Sequence, residues 1–477
     1  MEPSNQMLGS KSEVEVRNLK DNTLIGVIPV ATEAEVEKAL QAATIGRVTA
    51  RAMPRHERAR ILSDAADMIR AQRVEFARRI TAECGKTIAQ ALKEVDRCVN
   101  TLTLSAEEAK RVSGEEIPFD SYPGLEDRFG YFTKEPLGVV LAITPFNDPL
   151  NLVAHKVGPA IAAGCACILK PAVETPYSAL ALVGILHKAG LPTECLQVVI
   201  GDGSVGDRLV RDDRISMISF TGGTKTGEII CRSAGLKRIT MDLGGNAPVF
   251  VLPDADIERA ATECASGAFW AAGQNCIGVQ RIFCHESVLT AFRSRLVERT
   301  KAMTLGDPDD PKTDMGPMIS EAAARRTEAW VKDAIDAGAT CLTGHQRRRA
   351  FYEPTILENV PKTAKILCEE VFAPVVCLVA YADLDDALTE ANTPEFLLHG
   401  AVFSNDLAAV QTICDRLECS GIMINDSSDF RFDGMPFGGS KRGSLGREGV
   451  KFAVDEMTQS KVICFKRCPQ DSQRPRP

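Results

Sequence analysis

Val139-Val140-Leu141-Ala142-Ile143 is a five-residue apolar run stopped by Thr144-Pro145, and it gives way over residues 151–163 to a segment of helical pattern. The alternation repeats downstream. Cys167-Ile168-Leu169-Lys170-Pro171 is a second apolar run ended by proline, and Ser178 to Gly190 is an amphipathic segment closing in Ala189-Gly190-Leu191-Pro192. Leu196-Gln197-Val198-Val199-Ile200 is a third strand-like run and Met217-Ile218-Ser219-Phe220 a fourth. Apolar runs this short, separated by amphipathic segments of helix length and punctuated by Gly and Pro, predict parallel βαβ units. The fold class is therefore α/β.

A second series begins near Val249-Phe250-Val251. It has helix-like stretches at 257–270, 286–301 and 320–337 and strand-like ones at 374–381 and 400–403, which predicts a second α/β domain. The first hundred residues are largely helical in pattern, from Glu33 to Thr44 and from Arg55 to Ala109 with a break at Cys84-Gly85. Pro469 to Pro477 is polar and proline-rich and is expected to be disordered. A chain of 477 residues predicts two or three domains. Its net charge of -8 argues against nucleic-acid binding. No run approaches the ~18 apolar residues of a membrane span, and Met1 to Gln6 lacks the basic and apolar regions of a secretory signal. The 16 cysteines form no Cys-x-x-Cys pairs with spaced histidines, so no metal site is indicated; a reducing cytoplasm fits them.

Most of these cysteines read as small buried hydrophobes. Cys276 differs, because Gly273-Gln274-Asn275-Cys276-Ile277-Gly278 is a polar turn and not a core stripe. Asp242, 34 residues earlier in Met241-Asp242-Leu243-Gly244-Gly245-Asn246, offers a carboxylate to accompany the thiol. A nucleophilic thiol with a base suits two-step acyl chemistry. Gly201-Asp202-Gly203-Ser204-Val205-Gly206 satisfies Gly-x-Gly-x-x-Gly between a strand and a helix. The carboxylate expected about twenty residues on is absent, since that region reads Ser219-Phe220-Thr221-Gly222-Gly223-Thr224. Gly222, Gly223 and Thr224 form a second glycine-rich turn whose amides could hold a pyrophosphate at a helix start.

The chain resembles the NAD(P)-dependent aldehyde dehydrogenases over nearly its whole length. Eight segments stand in that family's order: Glu135-Pro136-Leu137-Gly138-Val139, Thr144-Pro145-Phe146-Asn147, Leu169-Lys170-Pro171-Ala172, Phe220-Thr221-Gly222, Leu243-Gly244-Gly245, Gly273-Gln274-Asn275-Cys276, Glu369-Glu370-Val371-Phe372-Ala373-Pro374 and Pro436-Phe437-Gly438-Gly439. The resemblance implies an aldehyde dehydrogenase-like fold of two Rossmann-like α/β domains plus a small β oligomerisation extension. The dinucleotide-binding domain would take residues 1–114 and 134–246, the catalytic domain 247–445 and the extension 115–133 and 446–468. The extension, which includes a strand near Ser460 to Phe465, implies a homodimer or homotetramer.

The same resemblance implies roles. Cys276 is the nucleophile that gives a thiohemiacetal and, after hydride loss to the nicotinamide, a thioester. Asn147 and the backbone N–H of Cys276 form the oxyanion hole, and Asp242 is the base for hydrolysis. Lys170 holds the adenosine ribose and Glu370 the nicotinamide ribose, with Phe372 beside the ring. Thr144, Pro145, Phe146, Gly203, Phe220, Gly222, Gly223, Thr224 and Leu243 complete the cofactor set. Read without the resemblance, Asn147 is a turn residue between prolines, Lys170 a strand cap and Glu370 a solvated charge.

Three departures qualify the match. Asp242 stands where the family has Glu, one methylene longer, which leaves open a structural Asp242, a coenzyme A acceptor or a catalytically impaired member. Val173 stands where NAD-selective members have Glu, with Glu174 one step later, so NADP is expected ahead of NAD. Asn425 to Arg431 and Ala154-His155-Lys156 resemble the lactaldehyde, non-phosphorylating glyceraldehyde-3-phosphate and phosphonoacetaldehyde dehydrogenases. Members that take phosphorylated aldehydes carry cations where this chain has Asp148 and Asn275. A small polar substrate such as a hydroxyaldehyde is therefore expected, with Asp148, Asn275, Arg281 and Arg431 as its contacts. The alternative for Arg431 is an ion pair with Asp429 or Asp433. In two smaller changes, Gly443-Ser444 reverses the usual order and Ala373 replaces a Gly.

Overall fold

The structure, a computed structural model, describes residues 13–467. The tail expected at 469–477 lies outside them. Two large sheets organise the chain. The first has six strands in the order Ser444–Leu445, Arg238–Asp242, Met217–Thr221, Val139–Ile143, Ala166–Lys170, Leu196–Val198. The last five of these pair in parallel. From the central strand Val139–Ile143 the chain winds outward through two strands, then crosses to Met217–Thr221 on the other side. This reversal opens a crevice at the carboxyl ends of the two strands, where open α/β sheets take their ligands. Thr144-Pro145-Phe146 and Gly222-Gly223 are the segments that follow those strands.

Helix Asn151–Ala163 is buried at every residue. It can be apolar all round because helices cover it as well as the sheet: Ile88–Arg111 and Val450–Glu456 both pack on it. Helix Ile88–Arg111 starts at a capping box between Thr87 and Gln90, which satisfies two of its orphaned end groups.

The second sheet has seven strands, in the order Thr340–Thr343, Thr355–Glu358, Val375–Tyr381, Val279–His285, Ala247–Val251, His399–Phe403, Gly421–Ile424. Only Thr340–Thr343 runs antiparallel to its neighbour. Its central strands, Ala247–Val251 and Val279–His285, are almost wholly buried, as double-sided coverage demands. A separate ribbon pairs Arg128–Pro136 with Thr458–Lys466 antiparallel.

The N-terminal region is largely helical, as expected, with one addition. Glu13–Arg17 and Leu24–Pro29 form a hairpin around a turn in which Asn22 takes a φ of 66°. Of residues 446–468, expected in the extension, Thr458–Lys466 enter the ribbon. Ser444–Leu445 already pairs with Arg238–Asp242, and Val450, Ala453, Val454 and Met457 are buried against the first sheet's helices. Burial of those apolar side chains holds the chain there until Thr458.

Candidate active site

Helix Ile257–Phe269 runs into a tight turn in which Ala271, Ala272 and Gly273 all have positive φ, at 50°, 55° and 68°. Such backbone is costly for alanine, at about 1–3 kcal/mol per residue. The turn is held in return. Gln274 donates through Nε2 to the Ala271 carbonyl at 3.1 Å and accepts from the Ile319 N–H at 2.9 Å. Asn275 accepts from the Ile277 N–H at 3.2 Å, and strand Val279–His285 follows. Cys276 is thus presented, half-buried, at the head of a central strand.

Two cavities meet at this thiol. One, of about 280 Å³, is lined by Asn147, Asp148, Trp270, Asn275, Arg97 and Asp429 among others. The other, of about 400 Å³, has Pro145, Phe146, Phe220, Gly222, Gly223, Leu243, Glu370 and Phe372 in its wall. Cys276, Asn147, Gln274, Leu152 and Arg431 line both. The amide of Asn147 donates to the Gln274 carbonyl at 3.0 Å, which fixes its plane and leaves its second N–H for a ligand.

Asp242, at the end of its strand, also lines the second cavity. It is 2 % exposed, and neither carboxylate oxygen has a hydrogen-bond partner. Burial, reinforced by Glu448, pushes its carboxyl up to about 8; Arg431, Lys156 and Arg447 act in the opposite sense. Burial also raises the Cys276 thiol, with the Asp242 charge the next cause and Arg431 opposing. Burial and the neighbouring carboxylate thus both disfavour the thiolate form of Cys276.

Sequence reasoning missed Glu448 and the role of Lys156. Glu448 accepts from Lys156 Nζ at 2.7 Å and from the Thr221 hydroxyl at 3.0 Å. Arg431 donates to its other oxygen at 3.1 Å. These cations hold its carboxyl far below the ordinary range. The sequence carries no local signal for this pairing, because Lys156 and Glu448 are 292 residues apart.

Of the expected substrate contacts, Asp148, Asn275 and Arg431 line the first cavity and Arg281 does not. Arg431 pairs with Glu448 rather than with Asp429 or Asp433 and stacks over Phe437 at 3.6 Å. Asp148 is not a free negative charge, because Lys86 and Arg97 neutralise it. Arg281 lines neither cavity. Its guanidinium is spent on the carbonyls of Asn246 and Ala391 at 2.8 and 2.9 Å, the second being a helix-end carbonyl suited to a cation. Asn275 does face the first cavity.

On the other side, Glu370 is half-buried; desolvation pushes its carboxyl up to about 7, and it accepts from the Gly245 N–H at 3.2 Å. A Cβ at Gly244 would lie 1.9 Å from a Glu370 oxygen, so any larger residue there would push that carboxylate aside. Phe372 meets Phe146 edge-on at 5.7 Å. Leu243 packs against Gly227. Helix Thr224–Ser233 starts at Gly223 with no side-chain cap, so its first N–H groups are open to an anion. Thr144, Lys170, Gly203 and Thr224 are not among the lining residues of the second cavity. Lys170 is buried and lowered by burial, with Glu174 and Asp202 opposing, and Gly203 opens a helix capped by Asp202. Among the described residues no group of His, Cys, Asp and Glu could hold a metal ion, and no helix is long and apolar enough to cross a membrane.

The family model for the aldehyde dehydrogenase family matches residues 7–463. Aspartate-semialdehyde dehydrogenase 1 of Pseudomonas canavaninivorans is 53% identical over 452 residues, covering 95% of this chain and 96% of that protein. The 3-sulfolactaldehyde dehydrogenase of Priestia megaterium is 42% identical over 452 residues, with 94% of each covered. The crystal structure of the glyceraldehyde-3-phosphate dehydrogenase of Methanocaldococcus jannaschii complexed with NADP superimposes with a TM-score of 0.92 at 38% identity, covering 96% of this chain and 99% of that one. With sequence, fold and the setting of Cys276 in agreement, the chain belongs to the aldehyde dehydrogenase family.

Proposed function

We propose that this enzyme oxidises a small polar aldehyde to its carboxylic acid with NAD(P)+, through a thiohemiacetal and a thioester on Cys276, with water as the acyl acceptor. The observation that carries this reading is the position of Cys276 and Asn147 at the junction of two chemically different cavities. The first is polar and admits an aldehyde. The second suits a dinucleotide: Phe220, Phe146, Phe372 and glycines line it, and it offers the half-buried Glu370 carboxylate and one uncapped helix start. There Glu370 would hold the nicotinamide ribose, Lys170 the adenosine ribose, and the Gly222-Gly223-Thr224 turn the pyrophosphate. When bound, NAD(P)+ supplies the hydride acceptor.

The chain's own residues do the rest. A bond forms between Cys276 Sγ and the aldehyde carbon as the C=O π bond breaks, the thiol proton passes to water, and the carbonyl oxygen becomes an oxyanion. The free N–H of Asn147 and the backbone N–H of Cys276 stabilise that oxygen; one such donor contributes about 2.7–4 kcal/mol. Loss of hydride leaves the thioester. Asp242 then takes a proton from water as it attacks, which releases the acid and the thiol.

Val173 in place of a ribose-binding Glu supports NADP ahead of NAD, as does the likeness to an NADP-complexed relative. A second reading of the substrate is favoured by the neutralised Asp148. Lys93, over the Trp270 ring at 4.7 Å, is then the first cavity's lining cation without an ion pair among the described residues, which supports a small aldehyde bearing an acid group, in keeping with the names of the aspartate-semialdehyde and sulfolactaldehyde relatives. The β ribbon supports assembly as a homodimer or homotetramer. The test is NAD(P)H formation on a panel of hydroxyaldehydes and acid-bearing aldehydes, with each cofactor and with and without coenzyme A. Turnover without coenzyme A is expected. Turnover only with coenzyme A would replace water as acceptor, and none at all would indicate an inactive member.

A further inference from the structure

Strand Val279–His285 carries a bulge. Its parallel register against Ala247–Val251 runs Val279↔Ala247 and then Arg281↔Pro248, so Gln280 has no partner. Bulges in parallel pairs are rare and concentrate beside active sites, where they re-aim a side chain. Pro248 supplies a cause, since it has no N–H to give the ladder at that point.

The released side chain does not go idle. Gln280 is 7 % exposed. Its Nε2 donates to the Glu369 carbonyl at 2.7 Å, and its Oε1 accepts from the Val371 N–H at 3.2 Å. One side-chain amide thereby serves both peptide groups that flank Glu370, as a neighbouring strand would. Arg281 fixes the opposite side. It holds the Asn246 carbonyl at 2.8 Å, and the Asn246 amide donates to the Leu367 carbonyl at 2.8 Å. The Gly245 N–H that reaches Glu370 belongs to this second anchored segment. Otherwise the Glu370 loop has one side-chain anchor from outside, Arg326 to the Val371 carbonyl at 2.9 Å, and Phe372 leaves it with a φ of 50°.

We propose that Gln280 is the positioning residue of the cofactor site: the bulge turns its amide onto the Glu370 loop and so fixes the Glu370 carboxylate at a set reach from Cys276, four residues earlier on the same chain. This rests on the reading of Glu370 as the nicotinamide-ribose acceptor. Gln280 touches neither substrate nor cofactor; it acts through Glu370. A residue that packs generally would disturb both substrates alike, whereas this one affects the dinucleotide alone.

The test is a double-mutant cycle with Gln280→Met, which keeps the length and removes both hydrogen bonds, and Glu370→Gln. Gln280→Met is expected to raise KM for NAD(P)+ about tenfold. KM for the aldehyde and the rate at which iodoacetamide alkylates Cys276 should stay within about twofold of the parent. Glu370→Gln should act in the same direction, and the double variant should be no worse than Glu370→Gln alone, because the two act as one unit. Gln280→Glu, which keeps the acceptor for Val371 and loses the donor to Glu369, should fall between parent and Gln280→Met, and it decides the matter if the Met variant does not fold. Additive effects, equal rises in both KM values or an unchanged KM for NAD(P)+ in Gln280→Met would each overturn the positioning role. An unchanged KM in Glu370→Gln would instead remove the reading of Glu370, and the route assigned to Gln280 with it.

Discussion

Asp242 answers to two opposing demands. As a base it must be ionised, yet its carboxyl is buried without a partner and sits at about 8. Thioester hydrolysis should therefore climb by about tenfold per pH unit below that value and level above it, measured as steady-state NAD(P)H formation. Asp242→Asn should keep a first burst of NAD(P)H and lose the steady state. Stability gives an independent check. The folded value lies above the ordinary 3.8, so between pH 4 and about 8 the folded state holds a proton that the unfolded chain has lost. Stability then falls as pH rises through that window. Asp242→Asn removes this loss, so its melting temperature should match the parent's near pH 4 and exceed it increasingly up to pH 8. A constant gap would mean that Asp242 does not titrate there. At the oxyanion hole, Asn147→Ala should lower kcat by about 10²–10³ with little change in cofactor KM. Cys276 and Asn147 could be singled out in the sequence because their motifs carry those residue types, and Asp242 by its position alone, since the family has Glu there. Glu448 could not, because its meaning comes from Lys156 and Arg431, which arrive from distant parts of the chain.

Elements were legible where periodicity or a stop signal marks them. Helix Asn151–Ala163 begins and ends at the expected residues, with Gly164 left-handed at its end. The hairpin at Glu13–Pro29 was not, because its first strand, Glu13–Arg17, alternates charge with valine and has only Val16 buried. Neither was the start of helix Pro176–Lys188. Its Thr175 makes no cap bond. Instead Glu83, at the end of helix Arg73–Cys84, accepts from the N–H groups of Tyr177 and Ser178, both at 2.8 Å. A buried carboxylate borrowed as a helix cap joins two helices that are remote in sequence. Glu83→Ala leaves both N–H groups buried and unpaired, and should cost about 2–3 kcal/mol in urea unfolding. Glu83→Gln retains one acceptor and should cost less. Equal stability in all three proteins would show that water replaces the cap.

At the scale of the whole molecule, the ribbon of Arg128–Pro136 and Thr458–Lys466 is the feature that the single chain leaves incomplete. An isolated two-stranded ribbon is marginally stable. Residues 115–117 cover part of the Arg128–Pro136 edge, through Ile117 N–H to the Gly130 carbonyl and Phe132 N–H to the Glu115 carbonyl, but the Thr458–Lys466 edge has no neighbouring strand among the described residues. It nevertheless spends apolar side chains on its surface: Phe129 stacks on Phe465 at 4.9 Å, Tyr131 is exposed on the same face, and Val462, paired with Phe132, is exposed on the other. Charged edges would be the safer design for a monomer. A second chain that covers the aromatic pair and extends the ribbon would resolve both problems. Phe465→Asp and Val462→Asp should therefore move the sedimentation coefficient from that of an oligomer toward that of a single 51.6 kDa chain, in a concentration-dependent way. Both sheets lie outside the ribbon, so the variants should keep their alkylation rate at Cys276. An unchanged sedimentation coefficient in both variants would remove the ribbon from the interface and leave its exposed aromatics without a purpose.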